Sequence, residues 1–289
     1  MMVTEHVKTR FAPSPTGRLH IGHAYSAIFS YNQAKSLGGE FILRIEDIDT
    51  GRCRPEFTDG IYEDLQWLGL KWDTDNVRVQ SEHFDDYAAA LQKLEEKQLI
   101  YPCFCTRKQI QQEINDAASA PHGPEGALYP GTCRNLTNAQ RQEKIDAGTA
   151  YAMRLDIQKA LQSLDAELVW HDLSKGTQKA IAEILGDVVL ARKDTPASYH
   201  LCVTIDDHLQ GITHVTRGED LFYASHLHRL LQELLELNVP QYHHHDLLLD
   251  HEGKRFAKRN QSVTLQSLRE DQGLRPQDIF DQIGLKPIG

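Results

Sequence analysis

The residues best placed to do chemistry in this sequence sit near its start. His20, Ile21, Gly22 and His23 follow directly on Pro13-Ser14-Pro15-Thr16-Gly17, where a turn-rich loop gives way to a helical pattern. That junction suits a nucleoside triphosphate. Backbone N–H groups at a helix N-terminus, helped by the helix dipole, hold phosphate oxygens. Gly22 lets an adenine or ribose lie against the backbone. Two imidazoles on adjacent turns can donate hydrogen bonds to an α-phosphate as its charge redistributes. Four such letters alone also fit two helix histidines with no role; the strand and loop before them argue otherwise.

A second group is Cys103-Phe104-Cys105 with Cys133. Thiolates at Cys-x-Cys spacing with a third, distant cysteine form a zinc pattern. One tetrahedral position stays open, and His122, Tyr129 or water stand near enough to fill it. Five cysteines, Cys53 and Cys202 being the others, without an export signal argue against a disulfide framework. His243-His244-His245 reads as the alternating faces of a strand rather than as a metal site or tag.

The elements that must position these residues follow from periodicity. Val7 to Phe11 alternates as a strand, a helix runs from near His20 to before Gly38-Gly39, and Phe41 to Glu46 is a second strand. That is a βαβ unit. Phe57, Ile61, Leu65 and Leu68 recur at helical spacing, as do Phe84, Tyr87, Leu91 and Leu94 behind Ser81 as cap. After Ile100 the character changes: Asp116 to Thr132 is loose, and Thr137 to Gln140 is a capping box. Residues 101–190 read as an insertion with its own small fold. From Ser198 the rhythm resumes, with a strand over Tyr199–Ile205, a helix over Leu221–Leu237 and a short buried strand at Leu247-Leu248-Leu249. The expected organisation is therefore 1–100 and 191–260 as two halves of one α/β core, 101–190 inserted, and 261–289 as a short C-terminal segment.

With 289 residues, 40% hydrophobic and 25% charged, the chain has an ordinary globular mix of one to two domains. No apolar run approaches about 18 residues, and Met1 to Phe11 has no leader-like apolar stretch. A cytoplasmic protein with no membrane partner is the expectation. A net charge of −10 makes a poor footprint for a general nucleic-acid binder. Any RNA surface must be local, and Arg52 with Arg54, Arg107 with Lys108, and Lys254 to Arg259 are the basic clusters.

The stretch from Arg10 through His23, Arg-Phe-Ala-Pro-Ser-Pro-Thr-Gly-Arg-Leu-His-Ile-Gly-His, closely resembles the signature of the glutamyl-tRNA synthetases. Arg44-Ile45-Glu46-Asp47-Ile48-Asp49 resembles the family's second signature. Gly186 to Arg192, Ser198-Tyr199-His200-Leu201 and Ile212 to Asp220 are similar to further family segments, in the right order over roughly 8–260. The resemblance implies a class I synthetase fold: a Rossmann-type parallel sheet, an inserted small zinc-bearing α+β subdomain and a short helical C-terminal part. It implies ATP binding by Pro13, Thr16, Gly17, His20, Gly22, His23, Arg255 and Lys258, with His20, His23 and Lys258 catalytic and Mg²⁺ accompanying ATP. Arg255-Phe256-Ala257-Lys258-Arg259 is the best register for the family's lysine loop, but Arg replaces its first lysine and Ala its serine.

Glutamate offers one ammonium and two carboxylates, so its pocket needs an acid and at least one fork-shaped donor. The resemblance places Arg10, Phe11, Ala12, Pro13, Ser14, Glu46, Tyr199 and Arg217 there, with Arg10 and Arg217 on carboxylates and Glu46 on the ammonium. Tyr129-x-x-x-Cys133 is similar to a variant site in a shorter relative of these synthetases, where Tyr is the fourth ligand of one structural zinc beside Cys103, Cys105 and Cys133. The run to Gly289 leaves little room for an anticodon-reading domain. Length and cysteine pattern together resemble that shorter relative, which attaches glutamate to the queuosine base at the wobble position of tRNA(Asp). A monomer that activates glutamate without tRNA and then uses the anticodon loop of tRNA(Asp) is the expectation. A split glutamyl-tRNA synthetase charging a 3′ end, a nucleotidyltransferase with the same His-x-Gly-His loop, and an inactive zinc-bearing RNA-binding module are the alternatives.

Overall fold

The computed structural model describes residues 6–116, 122–124, 126–192, 195–248 and 263–288. Its first half is the βαβ unit expected. β1 (Lys8–Phe11) lies parallel to β2 (Glu40–Ile45), with Thr9 opposite Phe41, and β2 lies parallel to β3 (Arg78–Val79). The helix between them, α1 (Ile21–Ser36), turns back through Gly39, which approaches β1 so closely that a Cβ there would stand 2.2 Å from the Val7 carbonyl oxygen. α2 (Pro55–Trp67) and α3 (Phe84–Glu96) present the leucine and aromatic faces read from the sequence.

The chain then leaves this sheet. β4 (Ile100–Cys103) is followed by α4 (Arg107–Asp116), a two-residue-per-strand hairpin of β5 (His122–Gly123) and β6 (Gly126–Ala127), and α5 (Asn138–Asp146), whose Thr137–Gln140 capping box is present. β7 (Ala152–Leu155) pairs antiparallel with β4, and α6 (Ile157–Gln162) follows. β8 (Val169–Asp172) and β9 (Gly176–Lys179) form a hairpin, after which β10 (Val189–Arg192) pairs antiparallel with β7. α7 (Tyr199–Leu209) leads back to β11 (His214–Gly218), and α8 (Phe222–Leu235) connects it to the parallel strand β12 (Gln241–His245). β12 also pairs in parallel with β8, so that the hairpin from within 101–190 joins the sheet of β11 and β12.

The two sheets meet along β1 and β11, where Thr213 N donates to Lys8 O at 3.0 Å and Lys8 N donates to Thr213 Oγ1 at 2.8 Å. β1, β2, β11 and β12 run the same way, so their carboxyl ends open on one edge, where such sheets bind ligands. One apolar cluster gathers α1, α2 and the sheet, and α9 (Leu265–Glu270) and α10 (Pro276–Ile283) cap it with Leu265, Leu268, Ile279 and Ile283. A second lies under α3, α7 and α8.

Three sequence readings are corrected. Tyr199–Ile205 is not a strand but the start of α7, with Ser198 as its N-cap accepting from Leu201 N. Its residues Leu201 to Asp207 are all buried, so no polar face marks the helical period, and Val203, Thr204 and Ile205 mimic a strand. The strand near Leu247 lies earlier, at Gln241–His245; Leu247 and Leu248 are half-buried and outside it, and Leu249 lies outside the described residues. Ser81 does not cap α3; His83 occupies that position, while Ser81 N and Oγ donate to Asp47 at 2.8 and 2.6 Å. Among the described residues, no helix is long and apolar enough to cross a membrane.

Candidate active site

α1 opens on a reciprocal histidine cap. His20 Nδ1 accepts from Gly22 N at 3.1 Å, and His23 Nδ1 accepts from His20 N at 3.1 Å. Each Nδ1 is therefore the bare nitrogen, so a neutral ring carries its proton on Nε2. The two rings, centroids 3.8 Å apart, present paired Nε2–H donors at a helix N-terminus. The chain returns beside them: Leu265 N donates to Leu19 O at 2.8 Å, and Thr264 bridges to His20. The loop before the helix is tied down as well, with Glu46 N donating to Pro13 O at 3.0 Å and Arg54 N to Pro15 O at 3.1 Å.

Behind the loop lies a buried charge cluster. Arg10 grips Asp207 through Nε and Nη2 at 3.0 and 3.4 Å and donates through Nη1 to Thr216 O at 3.0 Å. Arg44, fully buried, donates to Asp207 Oδ1 at 2.8 Å and to Glu46 Oε1 at 3.0 Å. Asp206 takes Arg78 at 2.7 Å, Gln80 at 2.8 Å and Tyr87 at 3.0 Å. Burial would raise the Asp207 carboxyl, but Arg10 and Arg44 outweigh it and hold the group below the usual range. For Glu46 burial wins over Arg44 and Arg10, and its carboxyl is raised. Among the described residues Glu46 Oε2 accepts no hydrogen bond, and Glu46 lines the main cavity.

Arg217, 6% exposed, stands differently. Its Nε donates to His244 Nε2 at 3.2 Å, Nη1 meets His228 Nδ1 at 3.1 Å, and Nη2 donates to Ser225 Oγ at 2.5 Å. It lies over the Tyr242 ring at 5.2 Å. Burial first, and Arg217 second, push His244 down to about 4 and His228 well below its ordinary value. All its partners are thus uncharged at neutral pH, and among the described residues it makes no ion pair. Three of its five N–H groups are used, which leaves one on each terminal nitrogen for a ligand.

A cavity of about 700 Å³ opens on this region, a size that suits a small-molecule substrate. Ser14, Glu46, Tyr199 and His200 line it, as do Tyr129, Arg154, Asp187 and Arg192. Arg10 and Arg217 are not among the residues that form its wall. His228 joins Arg217 to that wall, touching His200 at 3.1 Å with its ring 5.9 Å from that of Tyr199. Arg255 and Lys258 lie outside the described residues.

The chain matches the family of class I tRNA synthetases (E and Q), catalytic domain, over residues 6–287. The chain belongs to this family. It is 44% identical over 282 residues to a glutamyl-Q tRNA(Asp) synthetase of Rhodobacter capsulatus, covering 96% of this chain and 99% of that one. It is 37% identical over 283 residues to a glutamate–tRNA ligase of Coprothermobacter proteolyticus, covering 97% of this chain and 58% of that one. Among solved structures, a glutamate tRNA ligase of Elizabethkingia meningosepticum, crystallised with its amino acid, superposes with a TM-score of 0.73 at 33% identity. The match covers 88% of this chain and 52% of that ligase, so the chain spans about half the ligase's length. The α/β fold with its parallel sheet is that of a class I synthetase.

This synthetase chain also carries a built cysteine cluster. The Cys103, Cys105 and Cys133 sulfurs all lie within 4.8 Å of one another and could hold a metal ion. The Tyr129 hydroxyl stands 3.3 Å from Cys103 Sγ and 3.6 Å from Cys105 Sγ. Ligand edges of that length match a tetrahedral ion at about 2.0–2.3 Å from each donor. The Arg154 guanidinium covers the Tyr129 ring at 3.9 Å. Asp187 ties this part to the core, taking Tyr101 OH at 2.5 Å, Arg134 at 2.7 Å and Ile157 N at 3.1 Å.

Sequence reasoning missed Arg44, Asp206, Asp207, Asp172, Ser225, His228 and His244. Two adjacent acids inside an apolar segment were a usable signal for Asp206 and Asp207. For His244, one of three consecutive histidines, the strand reading was right, yet it concealed that one face of that strand meets Arg217.

Proposed function

We propose that this chain activates L-glutamate with Mg²⁺–ATP to glutamyl-adenylate without tRNA, then passes the glutamyl group to the queuosine base at the wobble position of tRNA(Asp). The observation that carries the amino-acid assignment is Arg217, a buried guanidinium with only neutral partners and two N–H groups in hand. Such a site favours an anionic side chain over its amide, because only the carboxylate supplies the missing charge. Glu46 Oε2 suits the ammonium; Ser14 and Tyr199 line the cavity beside it. Arg10, expected on a carboxylate as well, is already matched by Asp207 and has less charge to offer a ligand than Arg217.

In the first step a glutamate α-carboxylate oxygen attacks the α-phosphorus and pyrophosphate leaves. The paired Nε2–H donors of His20 and His23 would stabilise the charge gathering on the α-phosphate, with Pro13, Thr16, Gly17 and Gly22 shaping the nucleotide site and Arg255 and Lys258 facing the pyrophosphate. In the second step a hydroxyl of the queuosine cyclopentenediol attacks the carboxyl carbon, and AMP leaves as the ester forms. The name of the 44%-identical relative supports that acceptor. An unstacked wobble base can be splayed into a cavity such as the one lined by Arg154 and Arg192. Residues 101–190 would act as the inserted acceptor-side subdomain, stiffened by one zinc on Cys103, Cys105, Cys133 and Tyr129.

The test uses tRNA(Asp) whose 3′-terminal diol has been destroyed by periodate. Queuosine-bearing tRNA should be protected at its base diol before oxidation, or re-supplied with it by ligation of an unoxidised anticodon fragment, and should still accept labelled glutamate. The same tRNA with guanosine should not. Labelling that depends on the 3′ end instead would make this a 3′-charging enzyme. Glutamate-dependent ATP–pyrophosphate exchange that appears only on adding tRNA would overturn the tRNA-independent first step.

A further inference from the structure

Arg217 does not hold its own position. β8 ends at Asp172, a carboxylate with no exposed side-chain surface that lies against β12. Asp172 Oδ1 accepts from Ser174 N at 2.9 Å, Ser174 Oγ at 2.6 Å and Lys175 N at 3.0 Å. Its Oδ2 meets His244 N at 3.3 Å and His244 Nδ1 at 2.6 Å. A carboxylate so surrounded by donors stays ionised, and the proton of a neutral His244 must then sit on Nδ1. The opposite nitrogen, Nε2, is left bare to accept from Arg217 Nε at 3.2 Å, with Ser225 Oγ at 3.1 Å. The reverse tautomer would set an N–H against an N–H. His228 shows the same logic on the other side, receiving Arg217 at Nδ1 and facing His200 through Nε2 at 3.1 Å.

We propose that Asp172 and His244 are positioning residues for the substrate carboxylate: Asp172 fixes the His244 tautomer, and His244 in turn aims the Arg217 fork while adding no charge of its own beside it. The arrangement keeps Asp172 one imidazole away from Arg217, so the guanidinium is oriented without a direct ion pair to it. A carboxylate touching Arg217 directly would orient it as well, but would also occupy the charge the ligand has to meet. The inference rests on the reading of Arg217 as the glutamate contact.

The experiment measures glutamate and ATP affinity separately, by calorimetry on the full chain, for wild type, Asp172→Asn and His244→Phe. An asparagine can present either an acceptor or a donor to Nδ1, so it releases the tautomer while keeping the shape. Both variants are expected to weaken glutamate by tenfold or more, the cost of one hydrogen bond to a charged group, and to leave ATP affinity within about twofold, a difference worth about 0.4 kcal/mol. Long-range ¹H–¹⁵N spectra of the imidazoles should show His244 as the Nδ1–H form in wild type and as a mixture or the Nε2–H form in Asp172→Asn. If Asp172→Asn does not fold, folded His244→Phe decides: wild-type glutamate affinity there overturns the proposal. A wild-type Nδ1–H signal unchanged in folded Asp172→Asn overturns it equally. Wild-type protein that binds no glutamate fails the functional reading itself, a distinct outcome.

Discussion

Arg10 and Arg217 are both buried arginines proposed for the same pocket, and replacing each in turn with methionine should separate a paired charge from an unpaired one. Arg10 belongs to a cluster in which Arg10, Arg44 and Arg78 face Glu46, Asp206 and Asp207. Arg10→Met leaves that cluster one negative charge in excess, with Asp207 held by Arg44 alone. Breaking a buried pair from one side costs about 3–5 kcal/mol. Arg217→Met loses three hydrogen bonds to neutral acceptors, at about 1 kcal/mol each. Against this, it removes a cation whose burial without a partner costs several kcal/mol. The two effects nearly cancel, so its unliganded stability should stay within about 2 kcal/mol of wild type. Urea unfolding followed by circular dichroism at pH 7.5, with equal slopes, measures both differences. Repeating it with glutamate at a hundredfold excess over its dissociation constant should add about 2.7 kcal/mol to wild type and nothing to Arg217→Met. An Arg217→Met variant that loses as much stability as Arg10→Met, or that is still stabilised by glutamate, refutes the reasoning.

The acid limb of stability should be steep for a stated reason. Burial, then Arg217, depresses His200 and His244 to about 4, whereas an unfolded histidine titrates near 6.5. The unfolded chain therefore binds more protons than the folded one between those values, so stability falls as pH drops from about 6.5 towards 4, by several kcal/mol in all; unfolding midpoints that stay flat across that window contradict it. Removing the cysteine cluster should act on stability before chemistry. Purified protein should carry one zinc per chain by elemental analysis, Cys105→Ser should lose it with a lowered melting temperature, and Tyr129→Phe retaining full zinc would show that the phenol is not a ligand. Lys258→Ala should slow ATP–pyrophosphate exchange about a hundredfold, the scale of one transition-state charge contact, with glutamate affinity nearly unchanged; a near-normal rate would move the role to Lys254 or Arg255.

How much the sequence determined varies with the range of the interaction. Local order was legible. The turn-rich loop, the helix opening near His20 and the strand read over Phe41–Glu46, observed at Glu40–Ile45, follow from turn chemistry, capping and period-two alternation, all of which act over a few residues. The Cys103-x-Cys105 pair and Cys133 were legible too, because thiolates at that spacing have few other uses, and the structure brings all three sulfurs together. What the sequence could not carry was pairing between buried charges far apart in the chain. Asp207 meets Arg10 across 197 residues and Arg44 across 163, and no local pattern encodes that. The same limit explains Tyr199–Ile205. A segment buried all round has no polar face to reveal its period, so its β-branched residues pointed to a strand, while the space beneath the sheet and the Ser198 cap select a helix. The difference between Arg10 and Arg217 was likewise beyond reach of the sequence, in which both are arginines that the resemblance sets on carboxylates. Only the fold, by setting Asp207 against one and His228, His244 and Ser225 against the other, decided which of them is left with charge to offer a ligand.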